Sequence, residues 1–373
     1  MATTTLSPAE LEAFGKEMDA IRAEAMAQVG QEDADYIRNI IRAQRYLALS
    51  GRGLLWFGFF PLTWVPGTIA LGFAKILENM EIGHNVMHGQ YDWMGDDKLH
   101  SQTYEWDTVC DGDQWRHSHN YMHHTFTNVL GKDRDVGYGI LRMDERQPWE
   151  RRFLLQPLWN FLLASNFDIG VGVHDAEFDR YWAGEIDRKE LARRLKPFAK
   201  KASRLWLKDY VVFPLLSGPN FLGTAAGNLV ANLIRNFWTY SIIFCGHFPD
   251  GVEVFEYTED ELKNETKGQW YLRQLRGSAN IEGGKLFHIM SGNLSHQIEH
   301  HLFPDVPAHR YADMSVKVRE VCERYGLDYN TGGFWKQFLS VQKKVFKLAL
   351  PGRKGGGNSR PAKQDALPLA DAA

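Results

Sequence analysis

This sequence contains few cysteines, and its positive and negative charges nearly balance. The three cysteines, Cys110, Cys245 and Cys322, share no C-x-x-C spacing, which argues against a disulfide framework or a cysteine zinc site and fits a reducing environment. With 43 Lys and Arg against 46 Asp and Glu, the net charge is −3. A nucleic-acid partner, which needs a basic field, is therefore not expected. Residues 1–35 are polar and lack the apolar core of a signal peptide.

Long uninterrupted apolar runs are also missing, but two interrupted ones are present. They cover about 37–83 and 210–247, and proline and glycine break each one, which is typical of a helical hairpin. The two turns contain no Lys or Arg, whereas the region from Arg116 to Lys208 is rich in both. This positive-inside pattern predicts two transmembrane hairpins, about four spanning helices, with the middle region and both termini in the cytoplasm. Two buried hairpins of a soluble helical protein are the alternative.

No strand-like alternation and no repeat of fixed period is evident, so the predicted class is all-α. We expect a multi-pass membrane protein in which a cytoplasmic helical cap accompanies the hairpins. The predicted organisation is a polar segment over 1–35, one domain over 36–350, and a disordered Gly-, Pro- and Ala-rich tail over 351–373.

Histidine is the residue present in excess, with 14 copies. Most fall into three clusters, His84-x-x-x-His88, His119-x-x-x-His123-His124 and His296-x-x-x-His300-His301. Helical residues four apart share one face, so each cluster can present two imidazoles to one cavity. Adjacent helical residues differ by about 100° in direction. The last histidine of the second and third clusters therefore points beside its neighbour, as expected for two separate metal ions.

The number of imidazoles favours a site with two metals. A single H-x-x-x-H pair such as His84 and His88 occurs more often as core packing, but two copies of H-x-x-x-H-H do not. Eight imidazoles also exceed the three or four ligands of one zinc ion. The zinc-protease pattern H-E-x-x-H is absent, and the E-x-x-H segment from Glu81 to His84 has no second copy, so a carboxylate di-iron bundle is not indicated. Imidazole alone does not select among iron, zinc, copper and nickel.

These motifs resemble the membrane fatty-acid desaturase family, whose hallmark is one H-x(3,4)-H box and two H-x(2,3)-H-H boxes beside two transmembrane hairpins. The resemblance covers about residues 40–325 and is most specific at 292–304, Gly-Asn-Leu-Ser-His-Gln-Ile-Glu-His-His-Leu-Phe-Pro. Segments 131–136 and 245–250 are similar to actinobacterial acyl-CoA desaturases. The glutamine in the third box is similar to that of front-end desaturases, but their H-P-G-G haem motif is absent. Electrons are therefore expected from a separate donor.

The resemblance implies metal ligands in all three boxes: His84, His88, His119, His123, His124, His296, His300 and His301. It also places a further ligand after the last hairpin, for which His247 is the candidate. At the third box the choice of ligand stays open. Gln297 can stand in the position of a ligand of the family's shorter box, and His296, one position earlier, can then supply the missing imidazole. His117 is an alternative ligand or a hydrogen-bond partner of one, and Asn236 and Asn280 are candidates for a water-mediated contact. The other histidines are expected at the surface or beside the ligands: His100, His174, His288 and His309.

The implied function is O2-dependent insertion of a double bond into a long acyl chain at two iron ions. The expected partners are a long-chain acyl-CoA or acyl-lipid, membrane lipid, and a ferredoxin or cytochrome b5-like donor with a flavin reductase. The expected location is an integral, multi-pass membrane protein with its active site facing the cytoplasm. An apolar tunnel would select the carbon that reacts, with lining candidates Trp106, Trp115, Met122 and Phe126. A di-iron hydroxylase of alkyl, acyl or sterol substrates and a non-catalytic membrane metal-binding protein are the alternatives.

Overall fold

A computed structural model of the chain describes residues 5–352, most of which are helical. The α-helices and strands follow in the order α1 (Pro8–Ala27), α2 (Gln31–Trp56), α3 (Pro61–Ile76), α4 (Asn85–Met87), α5 (Gly112–Trp115), α6 (His124–Phe126), α7 (Gln156–Ser165), α8 (Phe167–Asp175), α9 (Phe178–Trp182), α10 (Arg188–Leu207), α11 (Phe213–Leu216), α12 (Phe221–His247), α13 (Glu259–Lys263), α14 (Lys267–Arg276), β1 (Asn280–Glu282), α15 (Lys285–Met290), α16 (Gln297–Leu302), α17 (Tyr311–Arg324), β2 (Thr331–Gly333) and α18 (Phe334–Leu348). Segments Leu77–His84, Arg116–His123 and Lys208–Val212 are π-helical.

The N-terminal segment forms α1 and belongs to a hydrophobic core. Ser7 caps the helix in a capping box, because its hydroxyl accepts from the Glu10 backbone N–H while the Glu10 carboxylate accepts from the Ser7 N–H. Phe14, Met18 and Ile21 recur on one face and are buried in a cluster with residues of α14, α16 and α17. α1 thereby packs on α14 and α17, the two helices that contact the helix α16 of the third histidine cluster.

α2, α3 and α12 pack side by side, and glycines allow their close approach. A Cβ on Gly51 of α2 would lie 2.8 Å from the backbone nitrogen of Leu71 and 2.9 Å from the carbonyl oxygen of Gly67. A Cβ on Gly227 of α12 would lie 2.5 Å from Leu55. Only glycine fits at such contacts. The predicted hairpin of α2 and α3 therefore exists as a packed helix pair.

The prediction that these helices cross a membrane is wrong. Among residues 5–352, no helix combines the length and the apolar composition that a crossing requires. The physical reason is the polar content of the helices. α2 carries four arginines and α3 contains Lys75. α12 contains Arg235 and three asparagines, Asn228, Asn232 and Asn236. The predicted two transmembrane hairpins over 37–83 and 210–247 are corrected accordingly, as is the integral, multi-pass location inferred from them.

One small sheet interrupts the helical architecture, which otherwise agrees with the predicted helical class. β1 and β2 pair in parallel, with Asn280 opposite Thr331. The backbone N–H of Ala279 donates to the carbonyl of Gly246, and that of Ile281 donates to the carbonyl of Ser295, each at 2.8 Å. β1 therefore joins the end of α12 to the segment that leads into α16. The predicted tail over 351–373 lies outside the described residues, apart from its first two.

Candidate metal centre

All three histidine clusters and the end of α12 meet in one buried region. His84 ends the π-helical segment that continues α3, and His88 follows one turn later, after α4. His119 and His123 lie in the second π-helical segment. Wide π-turns are rare and occur often at functional sites. Each cluster thus lies in or directly beside a helical segment, as the spacing predicts, and two of the three segments are π-helical.

The first set of converging imidazoles consists of His84, His88, His119 and His300. One nitrogen from each lies within 4.8 Å of those of the others. The His84 and His88 rings are 4.6 Å apart, and the His300 ring lies 4.8 Å and 4.7 Å from them. The Nε2 atoms of all four are buried and have no hydrogen-bond partner. Such an array of unpartnered lone pairs is costly to bury unless a cation accepts them.

The second set consists of His123, His247 and His301, and His124 lies between the sets. The three nitrogens of this set also lie within 4.8 Å of one another. The ring of His247 is 4.7 Å from that of His123 and 4.8 Å from that of His301. The His124 ring lies 4.7 Å from His300 of the first set and 4.4 Å from His301 of the second. The two sets are therefore adjacent, as expected for two metals in one cavity.

Polar side chains orient the rings of the second set. Nδ1 of His123 lies 3.0 Å from Oδ2 of Asp133, which also accepts the backbone N–H of Asn128. Nδ1 of His301 lies 3.1 Å from Oε1 of Gln274 and 3.2 Å from Oγ1 of Thr127. These contacts on Nδ1 leave Nε2 facing the cavity, in the manner of carboxylates and amides that hold metal-binding imidazoles.

Burial keeps most of these imidazoles neutral. It lowers the pKa of His84 to about 3 and lowers the pKa values of the others below their ordinary value, the others being His88, His119, His124, His247, His300 and His301. His123 is the exception. Burial lowers its pKa, but the carboxylates of Asp133 and Asp135 outweigh burial and the net pKa is raised. A neutral imidazole is the form that binds a metal, so the lowered values favour binding at neutral pH.

Within the third cluster, the structure separates the two residues between which the sequence leaves the choice open. The His296 ring stacks on that of His288 with centroids 4.6 Å apart, and it belongs to neither set of converging imidazoles. Nε2 of Gln297 instead lies 2.9 Å from Nε2 of His247, and its Oε1 is buried without a partner. Because α16 begins at Gln297, this residue and His300 share a face. The structure thus places Gln297 beside the second set.

The remaining candidates belong to neither set, although Asn236 lines a cavity beside the histidines. His117 is exposed and stacks on Tyr121. Asn236 bonds the carbonyl of Ser165 and the carboxylate of Asp168. Asn280 donates to Glu299 and Tyr329 and accepts the N–H of Ile298. Nε2 of His174 lies 3.0 Å from Oδ1 of Asp135. The other carboxylate oxygen of Asp135 lies 3.6 Å from Nδ1 of His119, a member of the first set.

Sequence reasoning did not identify Asp133, Asp135 or Gln274 as parts of the site. Asp133 and Asp135 lie within segment 131–136, which follows the second cluster and which served only as a point of resemblance. Two carboxylates a short distance after a histidine cluster are the signal that could have revealed them, because such groups commonly accept from metal-binding imidazoles. Gln274 lies 27 residues before His301, and no local pattern connects the two.

A narrow, largely apolar cavity that is partly open to solvent adjoins the histidines. Histidines from both sets line it, together with Trp106 and Trp115, whereas Met122 and Phe126 are not among its lining residues. Its remaining apolar walls come mainly from α8 and α12: Phe167, Val171, Ile243 and Phe248. Fold and site together define a helical protein with a candidate metal centre beside an apolar pocket.

Comparison with known proteins agrees with this class. The sequence model of the fatty acid desaturase family matches residues 59–333, and the chain therefore belongs to the fatty acid desaturase family. It is 49% identical over 350 residues to an NADPH-dependent stearoyl-CoA 9-desaturase of Mycobacterium tuberculosis, covering 93% of this chain and 82% of the relative. An sn-1 linoleoyl-lipid 6-desaturase of Synechocystis is 26% identical over 277 residues, covering 70% of this chain and 74% of the relative.

The family confirms the function predicted from the histidine boxes. The chain is a fatty acid desaturase, an oxidoreductase that introduces a double bond into an acyl chain. The named relatives are desaturases, which favours this activity over the hydroxylase and the non-catalytic metal-binding alternatives. The donor set agrees as well, because its unpartnered imidazole nitrogens suit a metal centre.

Proposed function

We propose that the chain is a long-chain acyl-CoA desaturase whose two histidine sets each hold one iron ion. The observation that carries this proposal is the pair of adjacent histidine sets beside an apolar cavity, the first of which has buried and unpartnered Nε2 atoms on all four of its imidazoles. His84, His88, His119 and His300 bind one ion, and His123, His247 and His301 bind the other. His124 lies within reach of both sets and completes one of them.

Two iron ions with O2 supply the oxidising power to break unactivated C–H bonds, which side-chain acids and bases do not provide. In the overall reaction, adjacent methylenes lose two hydrogen atoms while O2, two electrons and two protons are converted with them into two molecules of water. The histidines hold the ions without adding charge, since burial keeps nearly all of them neutral. Asp133 and Asp135 supply the nearby negative charge that a cationic centre requires.

The cavity accounts for the apolar substrate. Trp106, Trp115 and Phe167 form flat walls that hold an extended acyl chain against His119 and exclude water. Fixing the chain in this way selects the methylenes that meet the metals. The CoA carrier, the double bond at position 9 and NADPH as ultimate electron source are proposed from the printed name of the mycobacterial relative.

A reconstituted assay tests this function. The purified chain, loaded with ferrous iron, receives stearoyl-CoA, O2 and reducing equivalents, and mass spectrometry locates any double bond in the product. We expect an unsaturated acyl product with its double bond at position 9. His88→Ala is expected to give no product, and His117→Ala, which alters an exposed histidine, is expected to retain activity. A hydroxylated acyl chain, or turnover that survives His88→Ala, would contradict the proposal.

A further inference from the structure

α10 is the most strongly basic element among the described residues. It contains one acidic residue, Glu190, and its Lys and Arg residues are Arg188, Lys189, Arg193, Arg194, Lys196, Lys200, Lys201 and Arg204. Its other face is apolar and packs on the protein. The basic face of α10 is therefore not packed against the rest of the protein.

Five of these residues form a continuous line, which we call the basic stripe: Lys189, Arg193, Lys196, Lys200 and Arg204. Their spacings of three and four residues place them on one helical face, and all five are exposed. Arg193 pairs with Glu190, whereas Lys196, Lys200 and Arg204 have no acidic partner within residues 5–352. Like charges four residues apart destabilise a helix. The stripe thus carries a repulsion that an acidic partner would relieve.

The inner side of α10 rests on segments that lead to the metal centre. Phe198 packs against Gly172 of α8, where an added Cβ would lie 2.7 Å from its ring. Gln114 donates to the carbonyl of Arg194 at 2.7 Å, and Nζ of Lys201 donates to the carbonyl of Cys110 at 2.6 Å. α10 consequently covers the stretch of chain that enters the second histidine cluster.

Aromatic rings continue from this contact to the first histidine set. The indole N–H of Trp106 donates to the same Cys110 carbonyl at 3.1 Å. The rings of Trp106 and Trp115 are 5.0 Å apart, and Trp115 stacks on His119 with centroids 4.5 Å apart and planes at 20°. Lys201 of α10, which lies next to Lys200 of the stripe, is therefore connected to His119 through the Cys110 carbonyl and the rings of Trp106 and Trp115.

We propose that the basic stripe of α10 is the docking surface for an acidic one-electron carrier protein of the ferredoxin class. The inference rests on the proposed function, in which each double bond requires two electrons and two protons in addition to O2. The reduced carrier supplies the electrons one at a time and leaves oxidised. From Lys189 to Arg204 the stripe extends over 15 helical steps, which is about 22 Å at 1.5 Å per residue and matches a protein face better than one phosphate group.

Charge reversal of the stripe tests the proposal. The variant is Lys196→Glu/Lys200→Glu/Arg204→Glu, and the matched control is Lys285→Glu/Lys336→Glu/Lys343→Glu, three exposed lysines on other elements with the same change in charge. The probe is an acidic [2Fe–2S] ferredoxin kept reduced by NADPH and its reductase. Turnover is compared with that supported by dithionite, and ferredoxin binding is measured separately by surface plasmon resonance.

At low salt, the stripe variant is expected to need at least about tenfold more ferredoxin for half-maximal turnover, because charge steering accelerates association. Its dithionite-supported rate and its KM for acyl-CoA stay unchanged, and the control keeps wild-type values throughout. Raising the salt concentration narrows the difference, because salt screens exposed charges. The neutral variant Lys196→Gln/Lys200→Gln/Arg204→Gln is expected to be intermediate, and it serves as the test if the charge-reversed chain does not fold.

Four outcomes overturn the proposal. One is equal loss of ferredoxin affinity in the control, and a second is unchanged ferredoxin affinity in both stripe variants. A third is a raised KM for acyl-CoA with dithionite, which would assign the stripe to substrate phosphates. The fourth is loss of binding to phosphatidylglycerol vesicles with unchanged ferredoxin affinity, which would assign it to an anionic lipid surface. Absence of product from the wild-type chain with dithionite would contradict the proposed function instead, while ferredoxin binding still tests the stripe.

Discussion

The two histidine sets use the same ligand chemistry in different surroundings. In the first set, His88 and His300 have neighbours that are mostly other imidazoles. In the second, Asp133 faces His123, and Gln297 occupies a position beside His247. Imidazoles backed by a carboxylate are more basic ligands than those without one. For the proposed two-metal centre, the difference predicts two inequivalent metal positions, with the second closer to fixed negative charge.

The largest expected effect comes from removing one histidine of either set. His88→Ala in the first set and His247→Ala in the second should each lower turnover by about a thousandfold or more, because loss of a metal forfeits several kcal/mol of stabilisation. Steady-state rates with stearoyl-CoA measure this, with His117→Ala as the control. A loss confined to one set would show that only one set takes part in the reaction.

Asp133→Asn tests the carboxylate that distinguishes the second set. The substitution keeps the shape but removes the charge facing His123, and loss of such a partner typically weakens metal affinity by about 10-fold to 100-fold. Competition with a graded series of chelators should release one metal early and leave the other at its wild-type affinity. Asp144→Asn, which removes a carboxylate paired with Arg146, is the control. Equal weakening of both metals would remove the proposed asymmetry.

Acid should destabilise the metal-free protein. Histidines whose pKa is lowered in the folded state, such as His84 at about 3, bind protons more strongly when unfolded, where the pKa is about 6.5. Their contribution to stability is therefore complete above pH 6.5 and falls as the pH decreases toward the folded pKa. The urea midpoint of the metal-free chain should drop between about pH 7 and pH 5.

His123 differs from the other histidines of both sets in the sign of this effect. His88→Leu removes a residue with a lowered pKa, so about one proton fewer should be taken up on unfolding at acidic pH. The free energy of unfolding should therefore depend less steeply on pH. His123 has a raised pKa and contributes stability at low pH, so His123→Leu should not flatten it. A urea midpoint that stays constant or rises on acidification would contradict the assignment of neutral, buried imidazoles.

The smallest effect separates two neighbouring residues of the third cluster. Gln297→Ala should lower turnover by about tenfold, the equivalent of one buried hydrogen bond, because Gln297 contacts His247. His296→Ala should leave turnover within about twofold, since His296 stacks on His288 outside both sets. Kinetics under identical iron loading compare them. A larger loss for His296→Ala would restore it as a ligand.

The spacing of the histidines was sufficient to predict that two imidazoles of one cluster can face the same cavity. Residues four apart on a helix share a face, so pairs such as His119 and His123 are determined by local geometry. The choice between His296 and Gln297 was not, because it depends on where α16 begins. Gln274 was also beyond prediction, since its contact with His301 arises from packing between α14 and α16.

The transmembrane prediction rested on two interrupted apolar runs and on the absence of Lys and Arg from their turns, and it gave too little weight to the charged residues inside the runs. Lys75 forms a 2.7 Å ion pair with Asp209, and both are buried between packed helices. A sequence pattern does not reveal that a charge finds its partner in a distant segment. The proline and glycine breaks nevertheless predicted the packed pair of α2 and α3.

Metal content tests the central claim, two adjacent and inequivalent metal positions, most directly. After reconstitution with ferrous iron and removal of free metal, mass spectrometry of the wild-type chain should give two irons per chain. His247→Ala should retain one, held by the first set, and His88→Ala should retain one, held by the second. One iron per wild-type chain, or identical loss of all iron in both variants, would contradict the account.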